Sequence, residues 1–600
     1  MANAQPSRGQ AAAPCTQHDD PQIVQTQTPI AVRMPTEVLL EIFSHSIEND
    51  QHDAENSATT AFTISHVCRR WRDVAIDYAL MWAKLSFKSE AMFTTMLERA
   101  RQTPLSVCVD LTPRIIIRRP TTGGYRFQTA CVALREISRV KEISIRSVSC
   151  LPLRNVVSLL RPTASRLERL ELRASEISRN MTDVFKVEKS FWSQAAMPLQ
   201  KLVLEAVQFD NPSLNLVPRH CQALTHLELG RMGSMRMVDI MAMIAVAAHT
   251  LETLILDHLT FRNLQPTTIT PVTLPRLTYL QISSVHSTWE PNTPVSILQH
   301  IKYPDTASLI LQFTLKSRLT PNTVLPAILA HLRTRSPTYQ SILLQTDNMH
   351  RRPGLRLSAW TRRGAPNLFN LDEYPGPALA LHILRDEDVD EVCLLDALGD
   401  IAVAAKFESV REATVAPVKP ELPWARFFRH IPLLRELSVY GPAALHEFCS
   451  VYAFSTFGAW PHVVSETAEL FSHLTTLSIT GVSFREGYLK EPTLELEALK
   501  AGLERFEQVR GAKLEEVVVC YCDTITRDME EIAKSVKRRN VVWDGSERGT
   551  SSVPMSMVVE SPPAPETMWP QDQHGAMIGL GPPDMDEEVF AEGGPLAVPG

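Results

Sequence analysis

Two places in the sequence bring together residue types that can bind a metal ion. Cys520 and Cys522 stand one residue apart, and cysteine thiolates are frequent zinc ligands. A second Cys or His pair is missing nearby, and in a strand both side chains would point to one face, which favours packing in a core. His446 and Glu447 begin like a zinc-binding helix, but FCS follows them and no second histidine stands in place. The sequence therefore predicts no metal site and no cofactor.

Motifs for covalent or phosphate chemistry are absent from the sequence as well. It contains no GxSxG, HExxH or GxxxxGK[ST] pattern. The glycine pair at 123–124 follows RRPTT and no clean strand, so a phosphate-binding loop is not expected. We predict a chain without catalytic residues. The alternative is an unrecognised enzyme site between residues 285 and 430, which would need a pocket with convergent titratable groups.

The strongest pattern lies in residues 34–87, where apolar side chains recur at the spacing of helices. Met34 and Pro35 open a first helix, because proline is tolerated in the first turn. Two apolar pairs follow at a spacing of four and line that helix: Val38 with Ile42, and Leu39 with Phe43. The polar stretch at 48–61, ENDQHDAENSATTA, breaks the pattern and is predicted to be a loop.

A second helix is predicted after this loop, followed by a less regular apolar tail. The apolar face of this helix has the spacing i, i+3, i+4, i+7 and consists of Ile64, Val67, Cys68 and Trp71. The tail adds Leu80 and Trp82. Burying one such side chain stabilises a fold by roughly 1.5–3 kcal/mol, and a segment of this size has only a small core. The surplus of large apolar residues therefore predicts a surface that docks to another protein.

The order and spacing of these elements resemble an F-box domain, which we place at residues 31–88. The resemblance rests on MPTEVLLEIF, on ISHVCRRW and on LMW, the last ending at Trp82. It implies binding to a Skp-type adaptor, which would link the chain indirectly to a cullin and RING scaffold. The positions that it implies for adaptor binding are Met34, Pro35, Val38, Leu39, Ile42, Phe43, Ile64, Val67, Cys68, Trp71, Leu80 and Trp82. Some would face the adaptor and others the domain core, and the sequence does not sort them. An ordinary helical hairpin is the alternative interpretation.

From about residue 140 a short sequence motif recurs, which we call a phrase. It consists of an apolar residue, two variable residues, a second apolar residue, one variable residue and a third apolar residue. Its copies start at Val140, Leu167, Leu199, Leu224, Leu251 and Leu277, and later at Leu434, Leu474 and Leu514. Weaker copies start at Val389 and Val410. Helical stretches such as 238–249 and 496–509 lie between the phrases. A strand followed by a helix at such intervals resembles a leucine-rich-repeat solenoid, which implies a curved parallel sheet with helices outside.

The repeats depart from that family at the turn after each strand. The family has an Asn or Cys there, whose side chain satisfies backbone groups, whereas this chain has apolar residues at Val207, Leu259 and Val482. Cys522 alone fits well, so we expect irregular repeats whose turns find other hydrogen-bond partners. The stretch from 285 to 430 fits least. A non-repetitive α/β domain is the alternative.

The predicted fold is therefore α+β overall. A small all-α F-box domain at 31–88 precedes an irregular α/β leucine-rich-repeat array at 89–544. Residues 1–30 and the acidic, Pro- and Gly-rich segment 545–600 are predicted to be disordered. A net charge of −7 gives no nucleic-acid footprint, and no apolar run is long enough for a membrane span. Ten scattered cysteines and a polar start without a secretory signal favour a cytoplasmic or nuclear protein.

Together these features predict the substrate-recognition subunit of an SCF-type E3 ubiquitin ligase, with an unknown protein as its target. The variable residues inside the repeats, which would line the concave face, are mixed in chemistry: Glu228, Ile255, Gln281, Ser438 and Ser478. They indicate a protein target and neither nucleic acid nor membrane. The alternative is an F-box or repeat-based protein-binding scaffold that works without ubiquitin transfer.

Overall fold

The computed structural model describes the chain in separate segments. They are residues 33–49, 54–111, 122–147, 153, 164–174, 185–187, 197–209, 220–232, 235–259, 261, 269–284, 293–315, 324–347, 354–363, 376–385, 391–416, 424–453, 471–486, 491–492, 494–510, 514–520, 522, 526–535 and 540–543. The two ends that were predicted to be disordered lie outside the described residues.

Three α-helices and one 3-10 turn form the N-terminal region. They are α1 (Thr36–Asn49), α2 (Ala54–His66), α3 (Arg69–Asp77) and the turn Ala79–Trp82. The prediction of a single helix from 64 to 71 is wrong. Cys68 is extended, with φ −156° and ψ 171°, and its Sγ accepts a hydrogen bond from the backbone N–H of Trp71 at 3.5 Å. This cap starts a new helix at Arg69. The predicted loop at 48–61 is wrong in part, since α2 begins at Ala54.

Seventeen strands of the described chain form one sheet. They are β1 (Lys84–Leu85), β2 (Leu105–Asp110), β3 (Val140–Ser147), β4 (Arg169–Ala174), β5 (Lys201–Glu205), β6 (His226–Gly230), β7 (Thr253–Asp257), β8 (Tyr279–Ser284), β9 (Ser308–Leu315), β10 (Ser341–Asp347), β11 (Gly354–Trp360), β12 (Leu379–Arg385), β13 (Glu412–Val415), β14 (Glu436–Tyr440), β15 (Thr476–Thr480), β16 (Glu516–Cys520) and β17 (Asn540–Trp543). Three two-stranded pairs lie apart from it: Phe185–Val187 with Val207–Phe209, Val272–Thr273 with Ile301–Lys302, and Arg485–Glu486 with Glu491–Pro492.

Nine further helices connect the strands. They are α4 (Glu90–Arg99), α5 (Thr122–Arg135), α6 (Met237–Val246), α7 (Thr293–His300), α8 (Val324–Thr334), α9 (Glu391–Ala404), α10 (Pro442–Ala453), α11 (Leu494–Arg510) and α12 (Thr526–Ser535), among the described residues. The prediction of a strand for the weak phrase at Val389 is wrong, because Val392 and Leu394 of that phrase lie in α9. The other phrases each supply a strand of the sheet, including the weak one at Val410.

The phrases place equivalent residues in register across the sheet. Leu202, Leu227 and Leu254 stand opposite one another on β5, β6 and β7, and each is fully buried. Residues between them, such as Glu228 and Ile255, lie on the opposite face and are only partly buried. One face of the sheet therefore packs in the core, and we call the opposite one the polar face.

The turns after the strands find their hydrogen-bond partners in the backbone of the next strand. The residue that follows β5, β6 and β7 is left-handed in each case: Ala206 (φ 56°), Arg231 (φ 48°) and His258 (φ 47°). Their N–H groups donate to the carbonyl oxygens of Gly230, Asp257 and Ser283 at 2.9, 2.8 and 2.9 Å. This arrangement meets the expectation that turns with an apolar residue need other partners.

The order of strands in space departs from the order in the chain at β10, β11 and β12. β12 pairs with β9, and β10 pairs with β13, so the three strands stand in reverse order between β9 and β13. β11 runs antiparallel to both neighbours, while the other strand pairs of this sheet are parallel. The loose register expected for 285–430 therefore has a structural reason, since three strands with an antiparallel one in the middle stand where one strand per repeat was expected.

One core cluster runs from Leu39 in α1 to Ile532 in α12, and a small second cluster consists of Leu343, Trp360 and Ala416. The sheet begins inside the N-terminal region, because Lys84 and Leu85 of β1 pair with Ser106 and Val107 of β2. The described part of the chain holds no helix with the length and apolar character of a membrane span. The fold is thus a mixed α/β structure in which N-terminal helices lead directly into a large sheet.

Candidate functional site

The structure separates the twelve residues predicted to bind an adaptor into a buried and an exposed group. The buried group consists of Leu39, Phe43, Ile64 and Trp82, which are between 0% and 7% exposed. Phe43 packs edge-on against Trp71 with ring centroids 5.2 Å apart, which holds α1 on α3. These side chains form the interior of the N-terminal helices.

The exposed group consists of apolar residues on three different elements. Val38 of α1 is 44% exposed, Val67 between α2 and α3 is 53% exposed, and Leu80 in the 3-10 turn is 60% exposed. Pro35 is exposed as well. The remaining predicted residues are Met34, Ile42, Cys68 and Trp71, which are partly buried. Eight large apolar residues of the described chain are strongly exposed, and three of them lie in this short region. Such a concentration is typical of a docking surface.

Hydrogen bonds between the helices fix the arrangement of the two groups. Arg70 Nη2 donates to the carbonyl oxygen of Met34 at 2.5 Å, which ties the start of α3 to the start of α1. The hydroxyls of Ser44 and Tyr78 lie 2.8 Å apart and join the middle of α1 to the end of α3. Both bonds span more than thirty residues, so no local sequence pattern indicated them.

Trp82 contacts both the N-terminal helices and α4. Its Nε1 donates to the carbonyl oxygen of Ala75 at 2.7 Å, and its ring packs edge-on against Phe62 at 5.2 Å. The guanidinium carbon of Arg99, in α4, lies 4.4 Å from the Trp82 ring centroid. The sequence pattern includes Trp82 but gives no sign of Arg99, because no spacing rule relates residues from different elements.

The polar face carries a second candidate surface, built around Arg173 on β4. Its guanidinium donates to both carboxylate oxygens of Glu228 on β6 at 2.8 and 3.0 Å, and lies 3.6 Å from Glu205 on β5. Burial opposes the charge of Arg173, but Glu228 and the other carboxylates outweigh it and raise the pKa of Arg173. Burial likewise opposes the charge of Glu228, but the imidazole of His226, 3.7 Å away, and the hydrogen-bonded guanidinium of Arg173 lower the pKa of Glu228.

Asp257 on β7 lies beside this cluster and behaves differently. Burial raises the pKa of Asp257 to about 6, and the nearby carboxylates of Glu205 and Glu228 act in the same direction. The guanidinium of Arg231 and a hydrogen bond with Ser283 oppose the shift without cancelling it. Asp257 therefore carries a charge at neutral pH that its surroundings only partly compensate.

From Asp257 a row of polar side chains continues across the polar face, each directly opposite the next. We call it the polar row, and it consists of Asp257, Ser283, Gln312, His382, Arg356 and Gln345. Its six members belong to β7, β8, β9, β12, β11 and β10. Ser283, Gln312, His382 and Gln345 are at most 8% exposed although they lie on the face away from the core. No sequence pattern indicates this row, because the reversed strands β10 to β12 contribute half of its residues.

The residues considered for metal or phosphate binding lie in ordinary structural positions. Cys520 ends β16 on the polar face, whereas Cys522 is fully buried and donates to the carbonyl oxygen of Cys520 at 3.3 Å. The prediction that both thiols share one face is wrong, because the strand ends between them. His446 lies in α10 and the glycine pair 123–124 in α5. Within the described segments, three or more His, Cys, Asp or Glu side chains nowhere converge as a metal site requires.

Comparison with known proteins identifies the N-terminal region. Residues 31–88 match the family model described as F-box-like, which confirms the resemblance found in the sequence for this segment. The match covers α1 to α3, the 3-10 turn and β1, and ends before α4. A search of curated proteins found no match to this sequence. The chain thus carries an F-box-like domain, a module for protein–protein interaction, followed by a large α/β region.

Proposed function

We propose that the chain is the substrate-recognition subunit of an SCF-type E3 ubiquitin ligase. The F-box-like domain docks to a Skp-type adaptor, and the region after it holds a protein target. The chain supplies no catalytic residue. It acts by holding the target close to the ubiquitin-charged enzyme, which raises the effective concentration of target lysines.

The observation that carries the proposal is the exposed apolar group of the F-box-like domain. Val38, Val67 and Leu80 stay in water while Leu39, Phe43 and Trp82 complete the core. A domain that has filled its own core and still exposes apolar side chains on three elements needs a partner to cover them.

We infer that the region after the domain is a divergent leucine-rich-repeat array. Support comes from the parallel register of β2 to β9 and of β13 to β17, and from the left-handed turn that recurs after β5, β6 and β7. Helices such as α6 and α11 stand between successive strands, as in stacked repeats. The reversed strands β10 to β12 would then be an insertion within the array.

Co-expression of the full chain with a Skp-type adaptor, followed by size-exclusion chromatography, tests the docking. Wild type is expected to form a one-to-one complex. Val67→Asp combined with Leu80→Asp should lower the affinity at least 10-fold, because each change places a charge on a surface that the adaptor would cover. Both side chains are more than half exposed, so the thermal unfolding temperature should stay within about 1 °C of wild type.

Val238→Asp is the matched control, because Val238 is also a strongly exposed valine but lies in α6. It should bind the adaptor like wild type. Full adaptor binding by the Val67 and Leu80 variant would refute the assigned surface. Recovery of a cullin with the wild-type complex separates a ubiquitin ligase subunit from a scaffold that uses the adaptor alone.

A further inference from the structure

We propose that the polar row binds an extended peptide segment of the target, with a basic side chain at the Asp257 end and a carboxylate at the Arg356 end. The inference rests on the proposed function and names the chemistry of the segment that the chain recognises.

Two deeply buried polar atoms in and beside the row, Gln312 Nε2 and Ser358 Oγ, lack hydrogen-bond partners among the described residues. Gln312 on β9 is 8% exposed, and its Nε2 has no hydrogen-bond partner there. Ser358 on β11 is 1% exposed, and its Oγ has none either. Both point away from the core, since their strand neighbours Leu311 and Leu357 are core residues. An unpaired buried donor costs about 1–3 kcal/mol, so both groups are suited to a ligand that pairs with them.

The backbone of an extended peptide offers what these two groups require. A peptide carbonyl accepts from the Gln312 amide, and a carbonyl or an N–H group pairs with the Ser358 hydroxyl. The two residues lie on strands that are separated by β12, so peptide units about three residues apart can reach them. Neither group carries a charge, which means that charge selection falls to the ends of the row.

The Asp257 end is suited to a cation. Asp257, Glu205 and Glu228 bring three carboxylates together, against the guanidinium groups of Arg173 and Arg231. The position opposite both Glu205 and Asp257 on β6 is occupied by a glycine. A Cβ atom at Gly230 would lie 3.3 Å from Cγ of Glu205 and 3.8 Å from Cβ of Asp257. The missing side chain leaves a notch between two carboxylates, where a Lys or Arg side chain of the target fits.

Arg356, the charged residue next to Gln345 at the opposite end, is suited to an anion and fixes the length of the segment. Arg356 stands opposite His382, and both point to the polar face. Four strand steps separate β7 from β11, which at roughly 4.8 Å per step gives about 19 Å between the backbones of Asp257 and Arg356. An extended peptide rises about 3.3 Å per residue, so the basic and acidic residues should stand five or six positions apart.

The test selects random 12-residue peptides, displayed on phage, against the full chain in complex with the adaptor. Selected peptides are expected to carry Lys or Arg five or six residues from Asp or Glu. Synthetic versions of these peptides should bind the Asp257→Asn and Arg356→Gln variants about 10-fold more weakly than they bind wild type, as measured by fluorescence polarisation. The controls are Glu142→Gln and Arg146→Gln, which lie on the same face of β3 outside the row and should bind like wild type.

Gln312→Leu separates a ligand site from a purely structural role. Leucine has a similar volume and no unpaired donor, so thermal unfolding should occur at the same or a higher temperature. Peptide affinity should nevertheless fall about fivefold, because the ligand loses one hydrogen bond. Selection of no peptide, selection without the charge pair, or equal binding by all variants would overturn the inference. Retention of adaptor binding in the same samples would show that the proposed function survives that outcome.

Discussion

At the scale of single residues, Trp82 is expected to matter most for the stability of the F-box-like domain. Trp82→Phe removes the hydrogen bond to Ala75 and the indole surface under Arg99. We expect a loss of about 2–4 kcal/mol in local stability, by cavity formation and loss of a buried hydrogen bond. Hydrogen exchange of the α2 and α3 amides in the full chain measures it. Unchanged protection of these amides would contradict the role of Trp82 as the central core residue.

Asp257 gives a prediction about pH. The pKa of Asp257 is raised from 3.8 to about 6, so between these values the folded chain holds a proton that the unfolded chain has released. Ionisation of Asp257 in the folded chain therefore lowers the free energy of unfolding. This loss of stability is complete above about pH 6 and absent below about pH 4. Asp257→Asn should stabilise the chain by about 1 kcal/mol at pH 7.5, a value reduced because the side chain is partly exposed.

Chemical unfolding of wild type and Asp257→Asn at pH 5 and pH 7.5 checks this sign. The advantage of the variant should shrink at the lower pH, because the wild-type carboxyl then carries its proton more often in the folded state. If Asp257→Asn is more stable than wild type by the same free energy at pH 5 and at pH 7.5, the substitution acts through packing, and burial of the charge is unimportant.

The sequence predicted twelve residues of the F-box-like domain for adaptor binding but did not separate those that lie in the core from those that are exposed. Val38 and Leu39 are adjacent, similar and part of the same helical pattern, yet one is 44% exposed and the other fully buried. The difference arises because α3 covers one side of α1 through the Phe43–Trp71 contact. Tertiary packing decides such a choice, and spacing along one helix cannot express it.

At the scale of elements, the left-handed turns that follow the strands predict which glycines are required. Gly441 follows β14 with φ 81°, and Gly481 follows β15 with φ 68°. A Cβ atom at either position would meet nothing within 4 Å, so only backbone conformation opposes a side chain. Gly441→Ala and Gly481→Ala should each cost about 1–2 kcal/mol.

Gly376→Ala is the control for these turns. A Cβ atom there also meets nothing within 4 Å, and Gly376 is not among the residues with positive φ. It should be neutral or slightly stabilising, because alanine restricts the unfolded chain. Urea unfolding of the three variants gives the comparison, and equal midpoints would contradict the strain assigned to Gly441 and Gly481.

The elements that the sequence predicted best are those set by local periodicity. The phrases at Leu224 and Leu251 predict a strand each, and the strands begin two residues later, at His226 and Thr253. The break between α2 and α3 did not follow, since Ile64 and Trp71 keep helical spacing across the extended Cys68. The reversed order of β10 to β12 did not follow either, because strand order depends on contacts between segments far apart in the chain.

At the scale of the whole molecule, the F-box-like domain supplies β1, the first strand of the large sheet. Leu85 stands opposite Val107 of β2, and both are fully buried. In a stacked array, stability passes mainly between neighbours. Val107→Asp should therefore weaken the protection of amides in α2 and α3 against hydrogen exchange, although Val107 lies outside the matched domain.

Val517→Asp is the matched comparison for this coupling. Val517 is also a fully buried valine inside a parallel strand, but it lies on β16, near the other end of the sheet. It should open α11 and α12 to exchange and leave the F-box-like domain protected, since a long chain of neighbours separates them. Equal loss of protection in α2 and α3 for both variants would mean that the described chain unfolds as one cooperative unit. No loss for Val107→Asp would mean that the domain folds without the sheet. The expected result means that a target bound on the central strands can influence adaptor docking only through the strands between them.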